Sequence, residues 1–188
     1  MQWLLVLFSS LLGAAVLGSY VVVLGNVGDR FPLPPARAPA NATTYFDNPY
    51  WLGVPTDAAA GVTALQLAAA AGYVTWFVWL VTSPVDTGLL QGAGARVALL
   101  GGFLLGSTLW PYAAHAQLCH PGSVGRALVS CLCLWVAAVC VILLIGGTFE
   151  ARAPAAPTVG ILLLGQVVVL ADGVGWTAVA LHGALYPA

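Results

Sequence analysis

The sequence predicts an all-α fold, a polytopic transmembrane helix bundle that takes up residues 1–188 as a single membrane domain. Hydrophobic residues make up 61% of the chain and charged residues only 6%, whereas soluble domains carry roughly 25% charged residues. The chain also contains five apolar runs that each reach the roughly 20 residues needed to cross a bilayer. Most of the outer surface must therefore face lipid.

The five predicted spans are separated by polar or turn-forming segments. Their approximate bounds are 2–27, 58–81, 96–118, 124–145 and 158–186. The first run is alternatively a signal peptide, but a signal peptide has a positively charged start and a shorter apolar core, so we expect a retained helix. The connections after the first loop are short, which predicts that consecutive helices pack as antiparallel neighbours.

The segment 28–57 is the one long connection between the predicted spans. Its many prolines favour extended backbone over helix. Asn41-Ala42-Thr43 fits the acceptor pattern for N-glycosylation, which is used only where the loop faces the lumen or exterior of a eukaryotic secretory membrane. That orientation leaves two arginines inside and three outside, so the positive-inside bias does not support it. We expect an integral membrane protein of the secretory pathway or plasma membrane, with Asn41 on the outer side.

The sequence predicts a protein that is not an enzyme. It contains no metal-binding spacing of Cys and His, no phosphate-binding loop, no dinucleotide fingerprint and no nucleophile elbow. Three of the four cysteines lie in the fourth predicted span, where they behave as small apolar residues. We therefore expect no catalytic residue, no cofactor and no metal. The net charge of −1 gives no reason to expect a nucleic-acid partner.

The long first connection followed by short ones resembles the arrangement of the tetraspan junction proteins. Those proteins carry a pair of cysteines in the first loop, which this sequence lacks. A fifth apolar run is present as well. The resemblance therefore implies no membership of that family.

Asp172 is the acidic residue that lies deepest in an apolar run. An ionisable side chain inside a membrane span is costly, so it marks a functional site by default. Gly173 and Gly175 follow it and favour a local interruption of the helix. The alternative fold therefore has four full spans and a broken or re-entrant fifth segment.

A polar layer is predicted at the depth of Asp172. At about 1.5 Å per residue, Gln66, Thr108 and Asp172 lie roughly 12, 18 and 15 Å from the same membrane surface. Ser107 adjoins Thr108, and His115 lies closer to that surface. One interpretation is a neutral carboxyl held by hydrogen bonds, and the other is a path for protons or ions. No counter-ion is expected, because the chain has no Lys and Arg126 is too distant.

Gly102 and Gly106 form a GxxxG pattern in the third span, which lets two helix backbones approach closely. This pattern favours a non-enzymatic structural or assembly component that packs in the lipid bilayer as a homo-oligomer or with other membrane protein subunits. The alternative function is a small proton or ion channel or transporter subunit that uses Asp172.

Overall fold

Five long helices form most of the described core of this protein. The computed structural model describes residues 2–24, 56–85, 87–120 and 122–185. Within these ranges it contains five helices that are long and apolar enough to cross a membrane, and no β-strand. The predicted all-α bundle of five spans is therefore confirmed, and the chain is a multi-pass integral membrane protein. Asn41 and nearly all of the predicted loop 28–57 lie outside the described residues.

The helices follow the predicted spans, with differences at their ends. They are α1 (Gln2–Leu24), α2 (Thr56–Thr82), α3 (Ala93–Leu118), α4 (Val124–Glu150) and α5 (155–185). A short 3₁₀ helix, Gly88–Leu90, lies between α2 and α3. α4 continues past the predicted end at residue 145, and Leu90 packs against the added part at Gly147. A Cβ atom at Gly147 would lie 2.6 Å from Leu90 Cγ.

α5 is continuous, but its winding changes twice. An α-helical part, Ala155–Gly165, leads into a π-helical part, Gln166–Trp176, and a second α-helical part, Thr177–Leu185. A break or re-entrant turn at Asp172 is therefore wrong. The physical reason is that backbone polar groups inside a bilayer must stay hydrogen-bonded, and wider winding keeps the helix bonded where a break would not.

The helix neighbours differ in part from the expected order. α3 packs on α4 and α4 packs on α5, as expected, but α2 packs mainly on α5 instead of on α3. α1, for which the sequence predicted no neighbour, packs mainly on α3. Two glycines place α2 on α5, because a Cβ atom at Gly72 would lie 2.5 Å from the carbonyl oxygen of Gly160. The backbones of α2 and α5 therefore touch at this crossing.

Two apolar clusters fill the bundle. The proximal end is where α1, α3 and α5 begin, and the distal end is where they finish. The proximal cluster includes Leu5, Trp76, Leu80, Leu100, Phe103, Val141, Leu144, Ile161 and Val168. The distal cluster includes Val23, Trp110, Ala114, Leu118, Cys131, Leu134, Trp176 and Ala180. In the proximal cluster the indole N–H of Trp76 donates to Thr148 Oγ1 at 2.8 Å, which ties α2 to α4.

Two charged side chains hold the connection between α2 and α3 at the proximal end. Arg96 is buried and donates from Nε to the carbonyl of Leu90 and from Nη2 to the carbonyl of Val85, at 2.5 and 2.8 Å. Glu150 accepts a hydrogen bond from the backbone N–H of Leu89 at 2.9 Å. Charge-assisted bonds of this kind satisfy polar groups of the connection close to the membrane.

We predict that Gly72→Leu lowers the stability of the fold. A leucine there must push α2 away from α5, and overpacking of this kind costs about 1–3 kcal/mol. Thermal unfolding of the protein in lipid nanodiscs should show a lower Tm than for the wild type. Gly61→Leu is the matched control, because a Cβ atom at Gly61 meets nothing within 4 Å. Equal Tm values for the two variants would contradict the backbone contact.

Candidate functional sites: the gap at Asp172 and the outer face of α1

The π-helical part of α5 carries the residue that the sequence singles out. π-helices are rare, are mostly single turns, and occur often at functional sites. Here the π-helical part has 11 residues, with Asp172 near its middle. A Cβ atom at Gly173 would lie 3.2 Å from the carbonyl oxygen of Val168 in the same helix and 3.4 Å from Ala138 Cβ of α4. The widened backbone therefore packs directly against α4 at this residue.

Two tryptophans fix the distal end of the π-helical part. The indole N–H of Trp176 donates to Ser130 Oγ of α4 at 3.2 Å. From the other direction, the indole N–H of Trp135 donates to Thr177 Oγ1 at 2.9 Å. The Trp176 ring also meets the Trp110 ring of α3 edge to face, with centroids 5.3 Å apart. The rotation of α5 about its axis is therefore set by α3 and α4.

That rotation directs Asp172 towards the interior of the bundle. Val168, Asp172 and Trp176 follow one another at four-residue spacing, which places them on one face of the helix. Val168 belongs to the proximal cluster and Trp176 to the distal cluster. Leu170 and Val174, by contrast, are largely exposed on the lipid side. Asp172 therefore lies at the junction between the two apolar clusters.

Ser107 faces the same junction from α3. It lies one turn after the buried Phe103 and one turn before the buried Trp110, in the middle of the inward face of α3. A Cβ atom at Gly106 would lie 3.2 Å from Ala137 Cβ, and Ala137 adjoins the Ala138 that contacts Gly173. Ser107 and Asp172 therefore lie at the same level along α4.

A gap between the clusters follows from the exposure of these two residues. Ser107 and Asp172 are only partly buried, although their neighbours on the same helix faces are buried. We call this space the central gap and define it by Ser107, Asp172 and the methyl group of Ala138. Small side chains border it, which leaves it less completely filled than the clusters on either side.

The central gap opens sideways beside the distal half of α2. The inward face of α2 buries Ala69, Trp76 and Leu80, but Leu65, one turn further towards the distal end, is 43% exposed. No residue between 60 and 68 is buried. α2 therefore keeps few contacts with the π-helical part of α5, and we infer that the space beside it opens towards the acyl chains of the bilayer.

Asp172 has no partner within the described part of the chain. It takes part in no hydrogen bond or ion pair there. An Asp at the centre of a transmembrane helix costs about 2.5–3.5 kcal/mol on insertion scales. The span ends at Leu181, and at about 1.5 Å per residue Asp172 lies roughly 13 Å from that end. The fold therefore keeps an energetically unfavourable side chain deep in the membrane.

The described arginines are all engaged elsewhere or lie at the ends of the bundle. Arg96 binds the connection at the proximal end. Arg126 donates to the carbonyl of Ala116 at the distal end, at 3.2 Å. Arg152 follows α4 at the proximal end, and Arg30 and Arg37 lie outside the described residues. The chain has no Lys, so the described residues contribute no cation at the depth of Asp172.

Only some residues of the predicted polar layer lie at the same level. Ser107 shares the level of Asp172, whereas the Thr108 hydroxyl donates to the carbonyl of Leu104 in its own helix, at 2.7 Å. Gln66 lies on the half of α2 that diverges and is partly buried. Among the described residues no hydrogen bond joins Asp172 to Gln66, Ser107 or Thr108. The layer as a continuous network stays a prediction.

His115 lies nearer to the distal end and contacts a cysteine. Its Nε2 is 3.3 Å from Cys119 Sγ, one turn further along. Burial raises the pKa of the Cys119 thiol, while the positive charge of Arg126 acts in the opposite direction. The thiol therefore stays protonated at neutral pH. A role of His115 as a relay towards Asp172 stays a prediction.

The GxxxG pattern of α3 faces α4 of the same chain. A Cβ atom at Gly102 would lie 2.6 Å from Cys140 Sγ, and one at Gly106 would lie 2.5 Å from the carbonyl oxygen of Cys133. The close approach that the pattern indicates therefore occurs inside the bundle. The pair is covered by α4 and is not available on the outer surface.

A second run of small residues remains uncovered on α1. Ser10, Ala14 and Gly18 recur at four-residue spacing and are all exposed. A Cβ atom at Gly18 would meet nothing within 4 Å. Leu11 and Leu17 are exposed beside them. We call this surface the α1 outer face; α1 packs mainly against α3 on its opposite side.

Comparison of the chain with protein-family models, with curated proteins and with solved structures finds no significant match. The function is therefore argued from the geometry of the central gap and the α1 outer face.

We predict that Asp172→Leu raises the stability of the fold. The substitution removes an unpaired carboxyl from the membrane interior and places apolar volume beside the central gap, which together are worth about 1–3 kcal/mol. The Tm in nanodiscs should rise, while Val174→Leu on the exposed side should leave it unchanged. A clear fall in Tm for Asp172→Leu would show that the carboxyl has a stabilising partner.

Proposed function

We propose that this membrane protein is a non-enzymatic subunit of a membrane assembly, which packs with further copies of itself or with other membrane proteins. The observation that carries the proposal is the α1 outer face. Ser10, Ala14 and Gly18 form an exposed small-xxx-small pattern, which permits close backbone approach of a second transmembrane helix. The equivalent pattern on α3 is already occupied by α4.

The energetics of the bilayer favour such a contact. Apolar side chains gain little by leaving lipid for another apolar helix, so association depends on close packing and hydrogen bonds. Small residues allow both, because the approaching backbones meet at short distance. Ser10 adds a hydroxyl that a neighbouring helix can bond. α1 has room for a second neighbour because α3 covers only one of its sides.

We predict that Gly18→Leu weakens association without changing the fold. A leucine at Gly18 projects into open space in the monomer but blocks a helix that packs on the α1 outer face. Energy transfer between differently labelled copies in vesicles, together with migration in mild detergent, should report less assembly, while the Tm stays at the wild-type value.

Gly106→Leu is the contrasting variant. Its Cβ atom faces the α4 backbone, so we expect a lower Tm whatever happens to association. Wild-type assembly of Gly18→Leu would rule out the α1 outer face as the interface. A wild type that migrates only as a monomer in mild detergent and shows no energy transfer would contradict the assembly function itself.

A proton or ion conductor is the second candidate function. It is supported by the inward orientation of Asp172, a titratable group inside a membrane span and on a π-helical segment. Apolar clusters lie on both sides of Asp172 along the bundle axis. Conduction therefore requires these clusters to open in turn, or a path along the diverging half of α2.

We predict, for the conductor function, that Asp172→Asn abolishes pH-dependent flux in liposomes. The amide keeps the shape of the side chain but exchanges no proton at neutral pH. Expression and oligomer size should match the wild type. Equal flux in the wild type and the variant would remove Asp172 from any conducting path.

A further inference from the structure

The central gap has the properties of a ligand-binding site. Its one ionisable side chain, Asp172, has no partner among the described residues. The cost of an unpaired carboxylate in the membrane interior is relieved by a bound positive charge. A ligand that carries one positive charge matches this single carboxylate, whereas a divalent ion would leave an excess charge in a medium of low dielectric constant.

The lining argues against a bare metal ion. Hard cations such as calcium take about six to eight oxygen ligands. Among the described residues, the polar side chains that we place at the gap or its opening are Asp172, Ser107 and Gln66, and only Asp172 is charged. No group of three or more metal-binding side chains occurs in the described part of the chain.

Aromatic rings lie on the distal side of the gap. Trp176 follows Asp172 by four residues on the same face of α5, and Trp110 of α3 packs on it edge to face. The indole ring of Trp176 is held in place by its hydrogen bond to Ser130. A tryptophan ring attracts organic ammonium groups through its negatively polarised face. A carboxylate beside a fixed tryptophan is therefore suited to an organic cation.

The route into the gap favours a ligand that dissolves in lipid. Both ends of the bundle are closed by the proximal and distal clusters. The opening lies to the side, where Leu65 is 43% exposed and no residue between 60 and 68 is fully buried. A ligand that enters there comes from the acyl-chain region, and its apolar tail remains in that region.

We propose that the central gap binds a lipophilic organic ammonium ion from the bilayer. The ammonium group lies at the Asp172 carboxylate, close to Trp176, and the alkyl tail leaves through the opening beside Leu65. This site goes beyond the assembly function, because it lies inside the bundle and not on the α1 outer face. It also gives a reason for an acidic side chain at a position where we predict that an apolar one is more stable.

We predict selective binding of n-octylammonium over n-octanol to the full-length protein in nanodiscs. Native mass spectrometry counts the bound molecules and yields the ratio of the two affinities. The wild type should bind n-octylammonium at least about tenfold more tightly than n-octanol, since a charge-assisted bond adds to the shared tail contacts. Asp172→Asn should lose this preference, and Asp172→Glu should retain it. The Tm of each variant confirms that it is folded.

The entrance is tested by a matched pair of variants on α2. Leu65→Trp narrows the opening and should weaken n-octylammonium binding about tenfold. Leu67→Trp adds the same bulk on the outward face, where Leu67 is 68% exposed, and should bind as the wild type does. Equal affinity for the amine and the alcohol, an unchanged preference in Asp172→Asn, or equal binding by the two tryptophan variants would each overturn the proposal.

Discussion

The contact between Gly72 and Gly160 determines how the rest of the bundle is arranged. With no side chains between them, the backbones of α2 and α5 touch at this one level. On the proximal side of the contact, α2 buries Trp76 and Leu80 in the apolar core. On the distal side it buries nothing between residues 60 and 68. The bundle is therefore closely packed at the proximal end of α2 and open beside its distal half.

The winding of α5 determines which side chain faces the opening. In the π-helical part, Val168, Asp172 and Trp176 share the inward face, so the acidic side chain points to the space that α2 leaves. Hydrogen bonds from Trp176 and Trp135 tie this part of α5 to the rest of the bundle. The bilayer requires a continuous bonded backbone, and the π-helix meets that requirement while it reorients the side chains.

The sequence predicted the spans well because composition and length determine them. It also pointed to Asp172 and to the close packing at Gly102 and Gly106. It did not predict the partner of α2, because Gly72 and Gly160 are isolated glycines without a recurring pattern. The glycines after Asp172 signalled an irregular backbone, but a sequence does not distinguish a broken helix from a widened one. The role of Arg96 was equally hidden, since its partners are backbone carbonyls of a connection.

The divergence of α2 from α5 is the central claim, and a pair of spin-label distances in nanodiscs tests it most directly. Labels introduced at Gln66→Cys and Gln166→Cys report the distal separation, and labels at Val78→Cys and Ala155→Cys report the proximal one. None of these residues is buried, and the two residues of each pair lie at nearly the same level, five or six residues from the Gly72–Gly160 crossing. The four native cysteines are first replaced in both double variants. The structure predicts a distal distance that is clearly longer than the proximal distance. Equal distances at the two levels would mean that α2 lies along the whole of α5, and that the central gap has no opening to the bilayer.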